Sequence, residues 1–399
     1  MNKILQCVFY QLIPAVFLLT ACHLIEKGEA KNIELSKRGV SSDWSGYEDS
    51  DSNFNYLDCG ETIVCTHFFV IPPQFNDLGI FSEGLAPVKV GDFWGYINGN
   101  DFFIHPQYND ARIFSGGLAA VKMGDFWGYI NKTKTFAIEP KFDAIGNFSE
   151  GLAHARKCRS NHKWVICAAN EFLKLSLFNP SITKFGYINK SGNFDIRLDP
   201  KSLLDKNPVK LIRNFSEGLA PVKVGDLWGY IDKNPYITPP KRKGKGLPPA
   251  KSLFRRNIKY FIQPRFADAR IFSEGLAAVK MGDFWGYISK ETKQIFIRPR
   301  FDAVGSFNEG LAPVKVGSKW GYISRETKKF IELDFDGIEN IGNFNEGLAP
   351  VKVGDLWGYI NKTGRFVIEP EFDGAKVFSE GLAPVKVDDE WGYIGVVKK

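Results

Sequence analysis

A short phrase, Phe-Ser/Asn-Glu-Gly-Leu-Ala, recurs through most of this sequence and constrains its fold more than any other feature. Copies begin at Phe81, Phe148, Phe215, Phe272, Phe307, Phe344 and Phe378, and an eighth at Phe114 has Gly116 in place of Glu. Thirteen residues after the Phe, seven copies have a Trp followed by Gly-Tyr-Ile: Trp94, Trp127, Trp228, Trp285, Trp320, Trp357 and Trp391. In the third copy Phe185 replaces the Trp and follows an insertion. Eight such copies predict eight similar units that stack on one another.

One uninterrupted unit has the pattern of a β-meander. Leu348–Val353 is short, β-branched and alternating, as expected of a strand. Gly354-Asp355 provides a two-residue hairpin loop, in which Gly permits the positive φ that such a loop requires. Residues 356–360 return as a second strand, and residues 366–368 form a third. No helical periodicity extends over ten or more residues. The sequence therefore predicts an all-β repeat protein, with uninterrupted units of 33 to 37 residues.

The hairpin register predicts which side chains face each other. Lys352 should face Trp357, and Val351 should face Gly358, where the missing side chain would leave space for the valine. The basic position is filled in every copy, by Lys89, Lys122, Arg156, Lys223, Lys280, Lys315, Lys352 and Lys386. Two interpretations follow. Either these cations form a ring that binds a polyanion, or each stem packs on the Trp with its head paired to the repeating Glu.

The repeating Glu and the Trp-Gly-Tyr triplet are both interpreted as structural. A general acid needs one special environment, whereas this Glu occurs in seven equivalent ones. We expect it to make a turn hydrogen bond or to contact a neighbouring repeat. The triplet could display aromatic rings to sugars, but its recurrence in every unit favours packing between repeats.

These phrases resemble the WG (KWG) repeat family of bacterial proteins, over residues 66–394 approximately. The resemblance implies a repeat architecture and little chemistry, because the family is defined by sequence and not by a shared activity.

The two ends of the repeat array are complementary. The last unit ends at Ile394 without its third strand, whereas residues 67–75 form an unpaired third strand before the first phrase. This segment matches Phe366–Phe372, so it could complete the last unit, as in propellers that lock their rings. We therefore expect a closed, propeller-like ring over residues 66–399. The alternative is an open β-solenoid, since 33 residues is short beside propeller units of ~40–45.

The amino-terminal segment predicts export. An apolar run from Ile4 to Leu19 follows Lys3 and ends in Leu19-Thr-Ala-Cys22. This ending resembles the lipobox of bacterial lipoproteins, which implies a signal peptide over residues 1–21 and lipid on the Cys22 sulfur. Residues 22–65 would then form a polar tether that carries the lipid. An ordinary signal peptide with a chance cysteine is the alternative.

Four further cysteines form two local pairs, Cys59 with Cys65 and Cys158 with Cys167. In an oxidising compartment such pairs predict two disulfides. A zinc site using Cys59, Cys65 and His67 is the alternative, but its spacing matches no standard ligand pattern, so no metal is expected.

Two insertions interrupt the repeats, at about residues 156–184 and 232–259. After Asp232 the second contains no acidic residue, and it includes a cluster of eight basic ones: Lys241, Arg242, Lys243, Lys245, Lys251, Arg255, Arg256 and Lys259. Their charge exceeds the net charge of the whole chain, which is +7. This is either a solvated loop or a site for anionic lipid head groups or an acidic polymer. Nucleic acid is not expected outside the cytoplasm.

The sequence contains no recognised catalytic motif and predicts no cofactor. The first hypothesis is a membrane-anchored binding scaffold of the cell envelope or surface, with an unknown protein or an anionic polymer as partner. The second is a structural envelope protein without a specific ligand. The third is an enzyme with a site in the third and fourth repeats. Oligomeric state does not follow from the sequence.

The lipobox interpretation predicts lipid attachment at Cys22. Cells that express the parent chain should incorporate a radiolabelled fatty acid into it. Cys22→Ser should abolish the label, because the acceptor sulfur is lost. Equal labelling of the two chains would contradict the prediction.

Overall fold

The computed structural model of the protein describes residues 66–158, 183–198, 209–236, 258–333 and 335–397, together with three short strands nearer the amino terminus. Those strands, β1 (Gln6–Cys7), β2 (Cys22–Glu26) and β3 (Glu29–Lys31), form an antiparallel sheet in that order. Residues 1–54 and 55–399 are separate compact units. Among the described residues, no helix has the length and apolar character needed to cross a membrane.

The second unit consists of eight four-stranded antiparallel sheets, called blades 1 to 8 in chain order. The strand β4 (Thr66–Phe75) precedes blade 1. Blade 1 contains β5 (Asp77–Leu78), β6 (Ala86–Val90), β7 (Phe93–Asn98) and β8 (Asp101–Tyr108). Blade 2 contains β9 (Asp110–Ser115), β10 (Leu118–Met123), β11 (Phe126–Asn131) and β12 (Phe136–Phe142). Blade 3 contains β13 (Ala144–Ile145), β14 (Ala153–Cys158), β15 (Thr183–Ile188) and β16 (Phe194–Arg197). Blade 4 contains β17 (Val209–Ile212), β18 (Leu219–Val224), β19 (Leu227–Asp232) and β20 (Ile262–Phe266).

The remaining four blades follow the same order. Blade 5 contains β21 (Asp268–Ser273), β22 (Leu276–Met281), β23 (Phe284–Ser289) and β24 (Ile295–Phe301). Blade 6 contains β25 (Ala303–Val304), β26 (Leu311–Val316), β27 (Lys319–Ser324) and β28 (Phe330–Glu332). Blade 7 contains β29 (Ile338–Ile341), β30 (Leu348–Val353), β31 (Leu356–Asn361) and β32 (Phe366–Phe372). Blade 8 contains β33 (Gly374–Ala375), β34 (Ala383–Val387), β35 (Glu390–Val397) and β4 as its fourth strand.

Because successive strands are antiparallel, their connections alternate between the two faces of the ring. The hairpins between second and third strands lie on one face, called the tip face. The turns between first and second strands and between third and fourth strands lie on the other, called the turn face. The first insertion interrupts the blade 3 hairpin after Cys158, and the second interrupts the blade 4 turn between Tyr236 and Ile258.

The predicted hairpin register is confirmed, but the predicted reason for the glycine is wrong. Lys352 pairs with Trp357 and Val351 with Gly358. However, a Cβ added at Gly358 would lie 2.5 Å from the carbonyl oxygen of Ile368. The fourth strand thus passes too close for any side chain there, and the ladder shifts register at this point.

The tyrosines of the Trp-Gly-Tyr triplets join the blades. Each is at most 2% exposed, and its hydroxyl donates a hydrogen bond to a backbone carbonyl in the following blade. The eight bonds are 2.7–2.9 Å long and run from Tyr96 to Arg112, Tyr129 to Gly146, Tyr187 to Arg213, Tyr230 to Arg270, Tyr287 to Gly305, Tyr322 to Gly342, Tyr359 to Lys376 and Tyr393 to Gly79. Each ring also packs against the phrase Phe of that blade, as Tyr129 does on Phe148 at 4.7 Å. The predicted packing role of the triplet is confirmed.

The ring is closed by the amino-terminal strand, as predicted. In blade 8, β4 pairs with β35 from Phe75 opposite Trp391 to Thr66 opposite Val397. Blade 8 in turn contacts blade 1, since the Ser379 hydroxyl donates to the Phe81 carbonyl at 2.8 Å. The protein is therefore an eight-bladed β-propeller, and the open-solenoid alternative is wrong.

Ring closure predicts that β4 is as important for stability as a strand inside the chain. Ile71 of β4 and Ile104 of β8 occupy equivalent buried positions. Ile71→Ala and Ile104→Ala should each lower the free energy of unfolding by about 2–5 kcal/mol, because each leaves a cavity in the core. Denaturant unfolding measures both. A cost near zero for Ile71→Ala, beside a large cost for Ile104→Ala, would contradict closure by β4.

Candidate functional site

Most of the predicted site residues lie outside the described residues. These are Cys59, Cys65, Cys167, Lys241, Arg242, Lys243, Lys245, Lys251, Arg255 and Arg256. Cys22 begins β2, and Cys158 ends β14. Lys259 is exposed, and its backbone N–H donates to the Pro235 carbonyl at 2.7 Å. The two disulfides, the lipid on Cys22 and the basic loop therefore remain predictions.

The basic position beside the Trp has other partners than the repeating Glu. The Lys352 ammonium lies 2.6 Å from a carboxylate oxygen of Glu339, and the Lys386 ammonium lies 2.6 Å from Asp389. The Lys315 ammonium lies 5.5 Å from the centre of the Trp320 ring. The predicted packing on the Trp is thus found at Lys315. The predicted pairing with the repeating Glu is wrong, because these lysines lie near the hairpins of the tip face.

The repeating glutamates lie on the turn face and link neighbouring blades, which confirms the predicted contact between repeats. Both carboxylate oxygens of Glu150 lie 3.0 Å from the backbone nitrogen of Gly218, and one lies 3.0 Å from the Lys233 ammonium. Burial raises the pKa of Glu150, but these donors outweigh it and the net shift is downward. We call this arrangement a glutamate clamp. The same backbone bond occurs in seven places: Glu83 to Gly117, Glu150 to Gly218, Glu217 to Gly275, Glu274 to Gly310, Glu309 to Gly347, Glu346 to Gly381 and Glu380 to Gly84.

The clamps come at a conformational cost. All seven glutamates have φ between 51° and 57°, a left-handed conformation that residues other than Gly rarely adopt. A hydrogen bond to a charged group contributes about 1.5–3 kcal/mol, which is enough to offset that strain. Gly116, which replaces Glu in blade 2, has φ of 64° without a comparable penalty.

Blade 3 departs from the repeat at His154. Five other blades have Pro at this position and two have Ala. The His154 Nδ1 lies 2.6 Å from the Asn214 side-chain oxygen of blade 4. Burial lowers the pKa of His154 to about 4, and the positive charge of Arg112 adds to this shift, against a smaller opposing effect of the Asn214 hydrogen bond. At neutral pH the ring is therefore uncharged and links two blades.

A cleft with a volume of about 440 Å³ opens between blades 6 and 7. Blade 6 has a fourth strand of only three residues, where β24 and β32 have seven. Leu333, Phe335 and Phe366 line the cleft, and the two phenylalanine rings pack 4.7 Å apart. Its size is typical of ligand sites. Sequence reasoning missed it, although the 37-residue spacing from Phe307 to Phe344 is the longest between uninterrupted copies.

The tip face carries an exposed apolar surface that sequence reasoning also missed. The residues on either side of the two-residue hairpin loops are cross-strand partners, as Met123 and Phe126 are in blade 2. Nine of the thirteen exposed large apolar residues in the described part of the chain lie at these positions: Val90, Phe93, Met123, Phe126, Leu227, Met281, Phe284, Val316 and Leu356. We call this set the apolar crown. The signal for it was the repeated Val/Met-Gly-Asp-Phe/Leu, in which alternation alone does not tell exposed strand ends from buried ones.

The sequence matches the family described as WG containing repeat in eight segments, residues 69–92, 94–125, 127–157, 210–228, 259–283, 285–320, 320–357 and 357–391. These segments cover more than half of the chain. The chain is a WG repeat protein. The eight matched segments equal the blades in number, and most of them run from the third strand of one blade through the second strand of the next. No curated protein matches the sequence of this WG repeat protein.

Several solved structures resemble the WG repeat protein at low sequence identity. The extracellular domain of the one-component system BT4673 from B. thetaiotaomicron has a TM-score of 0.41 at 11% identity, over 83% of this chain and 43% of that one. PorZ of the type-IX secretion system of Porphyromonas gingivalis has a TM-score of 0.38 at 6% identity, over 84% and 46%. A eukaryotic initiation factor has a TM-score of 0.44 at 13% identity, over 75% and 77%. The chain thus spans less than half the length of the first two.

The environment of His154 predicts a pH-dependent stability. Its pKa is about 4 in the folded protein and about 6.5 in the unfolded chain, so the unfolded chain binds an extra proton between these values. The free energy of unfolding should therefore fall by about 3 kcal/mol as the pH drops from 6.5 to 4. His154→Ala introduces the residue that blades 2 and 5 have at this position, and it should remove this part of the pH dependence. Denaturant unfolding at a series of pH values measures it, and identical slopes for parent and variant would contradict the assignment.

Proposed function

We propose that this WG repeat protein is an exported, lipid-anchored scaffold of the cell envelope that binds a partner protein through its apolar crown. The main observation that supports this proposal is the concentration of exposed Phe, Met, Leu and Val side chains on the tip face. Apolar surface repeated around one face is typical of interaction sites, because water leaves it when a partner packs there. Aromatic residues such as Phe93, Phe126 and Phe284 are suited to anchor such a contact, since each has a large apolar area and few rotatable bonds.

The direction of β4 supports an orientation for this scaffold. β4 begins at Thr66, which pairs with Val397 on the turn face. A tether from lipid on Cys22 would therefore join the ring on the face opposite the crown. On this proposal the anchored chain enters the ring from the turn face, which leaves the crown free for a partner protein.

The basic insertion supports a second contact on the membrane side. It leaves blade 4 after Tyr236 and returns at Ile258, so both of its ends lie on the turn face with the tether. We propose that its lysines and arginines bind anionic lipid head groups or an acidic polymer there. Such a contact would contribute about 1 kcal/mol for each basic residue close to an anionic surface. The proposed function involves binding without catalysis.

Crosslinking in cells tests the role of the crown. A photo-crosslinking residue at position 125, in the loop beside Phe126, should capture a partner when the full-length chain is expressed in its native host. The double variant Phe126→Asp and Phe284→Asp should lose at least 90% of that product, because charged side chains oppose burial of the crown. The matched control is Phe102→Asp, an exposed Phe of blade 1 outside the crown.

The outcomes separate the alternatives. Loss of crosslinking in the crown variant but not in the control supports the scaffold. An unchanged product in the crown variant would contradict binding through the crown. No product from any of the chains would favour a structural protein without a specific ligand. A product that contains only a second copy of this chain would replace the partner protein with self-association.

A further inference from the structure

The glutamate clamps of the turn face show which groups of this protein bind a glutamate carboxylate, and one equivalent position has no glutamate. In each filled clamp, a glutamate side chain from one blade accepts a hydrogen bond from the phrase Gly of the next blade. In four of them a lysine from the third-to-fourth turn of that next blade also contacts the carboxylate: Lys132, Lys233, Lys290 and Lys362, at 3.5, 3.0, 3.8 and 3.0 Å. The structure thus shows how this surface binds a glutamate carboxylate.

Between blades 2 and 3 the carboxylate is missing but its donors are present. Gly116 occupies the glutamate position of blade 2, Gly151 is the phrase Gly of blade 3, and Lys190 is the turn lysine of blade 3. A Cβ placed on Gly116 would lie 3.6 Å from the Lys190 ammonium. Across the described residues of these two blades, neither the Gly151 N–H nor the Lys190 ammonium has a hydrogen-bond or ion-pair partner.

The vacant position is open to ligands from outside. Gly116, Gly151 and Lys190 are all exposed. The nearest atoms to the added Cβ on Gly116 belong to Lys190 and Phe148 and are 3.6–3.7 Å away, so a Cβ there meets only ordinary van der Waals contacts. Gly116 alone could be explained by relief of backbone strain. That explanation accounts for the glycine but assigns no role to the unpaired donors beside it.

We infer that the boundary between blades 2 and 3 binds the carboxylate of an acidic side chain, a glutamate above all, from a partner polypeptide. The ligand class follows from the filled clamps: the phrase Gly donates to a glutamate carboxylate in all seven, and a turn lysine also contacts that carboxylate in four. This site lies on the turn face, so it is independent of the proposed function of the crown. One charged hydrogen bond and one exposed ion pair make a weak site on their own, with a dissociation constant on the order of millimolar. It would therefore act as one contact within a larger interface.

The backbone amide of Gly151 reports directly on this site. The experiment uses the purified full-length chain in neutral detergent, labelled with nitrogen-15, and follows the Gly151 amide resonance during titration. The probes are N-acetyl-glutamate amide and its uncharged counterpart N-acetyl-glutamine amide. The glutamate probe should cause a saturable shift, and the glutamine probe should bind at least ten-fold more weakly.

Three variants locate the effect. Gly116→Glu should fill the position from within and weaken probe binding at least ten-fold, and Lys190→Ala should weaken it several-fold. The matched control, Lys132→Ala, removes the turn lysine of a filled clamp and should leave probe binding unchanged. If Gly116→Glu does not fold, Lys190→Ala still decides the question.

Each result has a defined meaning. A saturable Gly151 shift that Lys190→Ala weakens supports the site. No saturable shift, or equal affinity for the two probes, would overturn it. Tighter binding of glucuronate than of the glutamate probe would overturn the assignment to a polypeptide. Failure here leaves the crown proposal intact, because the crosslinking experiment concerns the opposite face.

Discussion

The hydrogen bond from each Trp-Gly-Tyr tyrosine to the next blade is the interaction on which the rest of the ring depends. A fully buried hydroxyl must have a partner, since leaving it unpaired costs several kcal/mol. Here the acceptor is always a carbonyl within or directly after the first strand of the following blade, as for Tyr393 and Gly79, and the aromatic ring packs on the Phe two residues after that carbonyl. One side chain thus fixes both the separation and the rotation between two sheets. Burial also raises the pKa of these tyrosines, so the hydroxyls stay protonated and remain donors.

The sequence was sufficient to predict the architecture because the same local pattern of strands and loops occurs eight times. Hairpin register followed from Gly354-Asp355 and the alternation around it, and closure followed from a match between two segments at opposite ends of the chain. Contacts between strands that are not adjacent in sequence were not predictable in the same way. The space at Gly358 belongs to the backbone of the fourth strand, whose path depends on a register shift that no local pattern encodes. The partners of Lys352 and Glu150 also depend on which face of the ring each one occupies.

Functional surfaces were harder to predict than the fold because an ideal repeat makes all eight positions equivalent. Specific recognition of a ligand requires residues in one blade that differ from those at the same position in the other blades. His154 in place of Pro, Gly116 in place of Glu and Leu333 directly after a shortened strand each mark a departure at one repeated position. The chemical consequence of each change becomes clear only by comparison with the same position in the other repeats. A filled clamp shows what the vacant position lacks, and a seven-residue fourth strand shows why blade 6 leaves a cleft beside it.

The antiparallel order of strands within each blade also explains why different connections of the chain lie on opposite faces of the ring. A four-stranded meander sends its second-to-third hairpin to one face and its two other turns to the opposite face. Extending the third-to-fourth turn, as in blade 4, therefore changes the turn face and leaves the crown unaffected. Because β4 must run antiparallel to β35, the chain that precedes it joins the ring on the turn face as well. The closing strand that completes blade 8 thereby also determines which face of the ring receives the preceding chain.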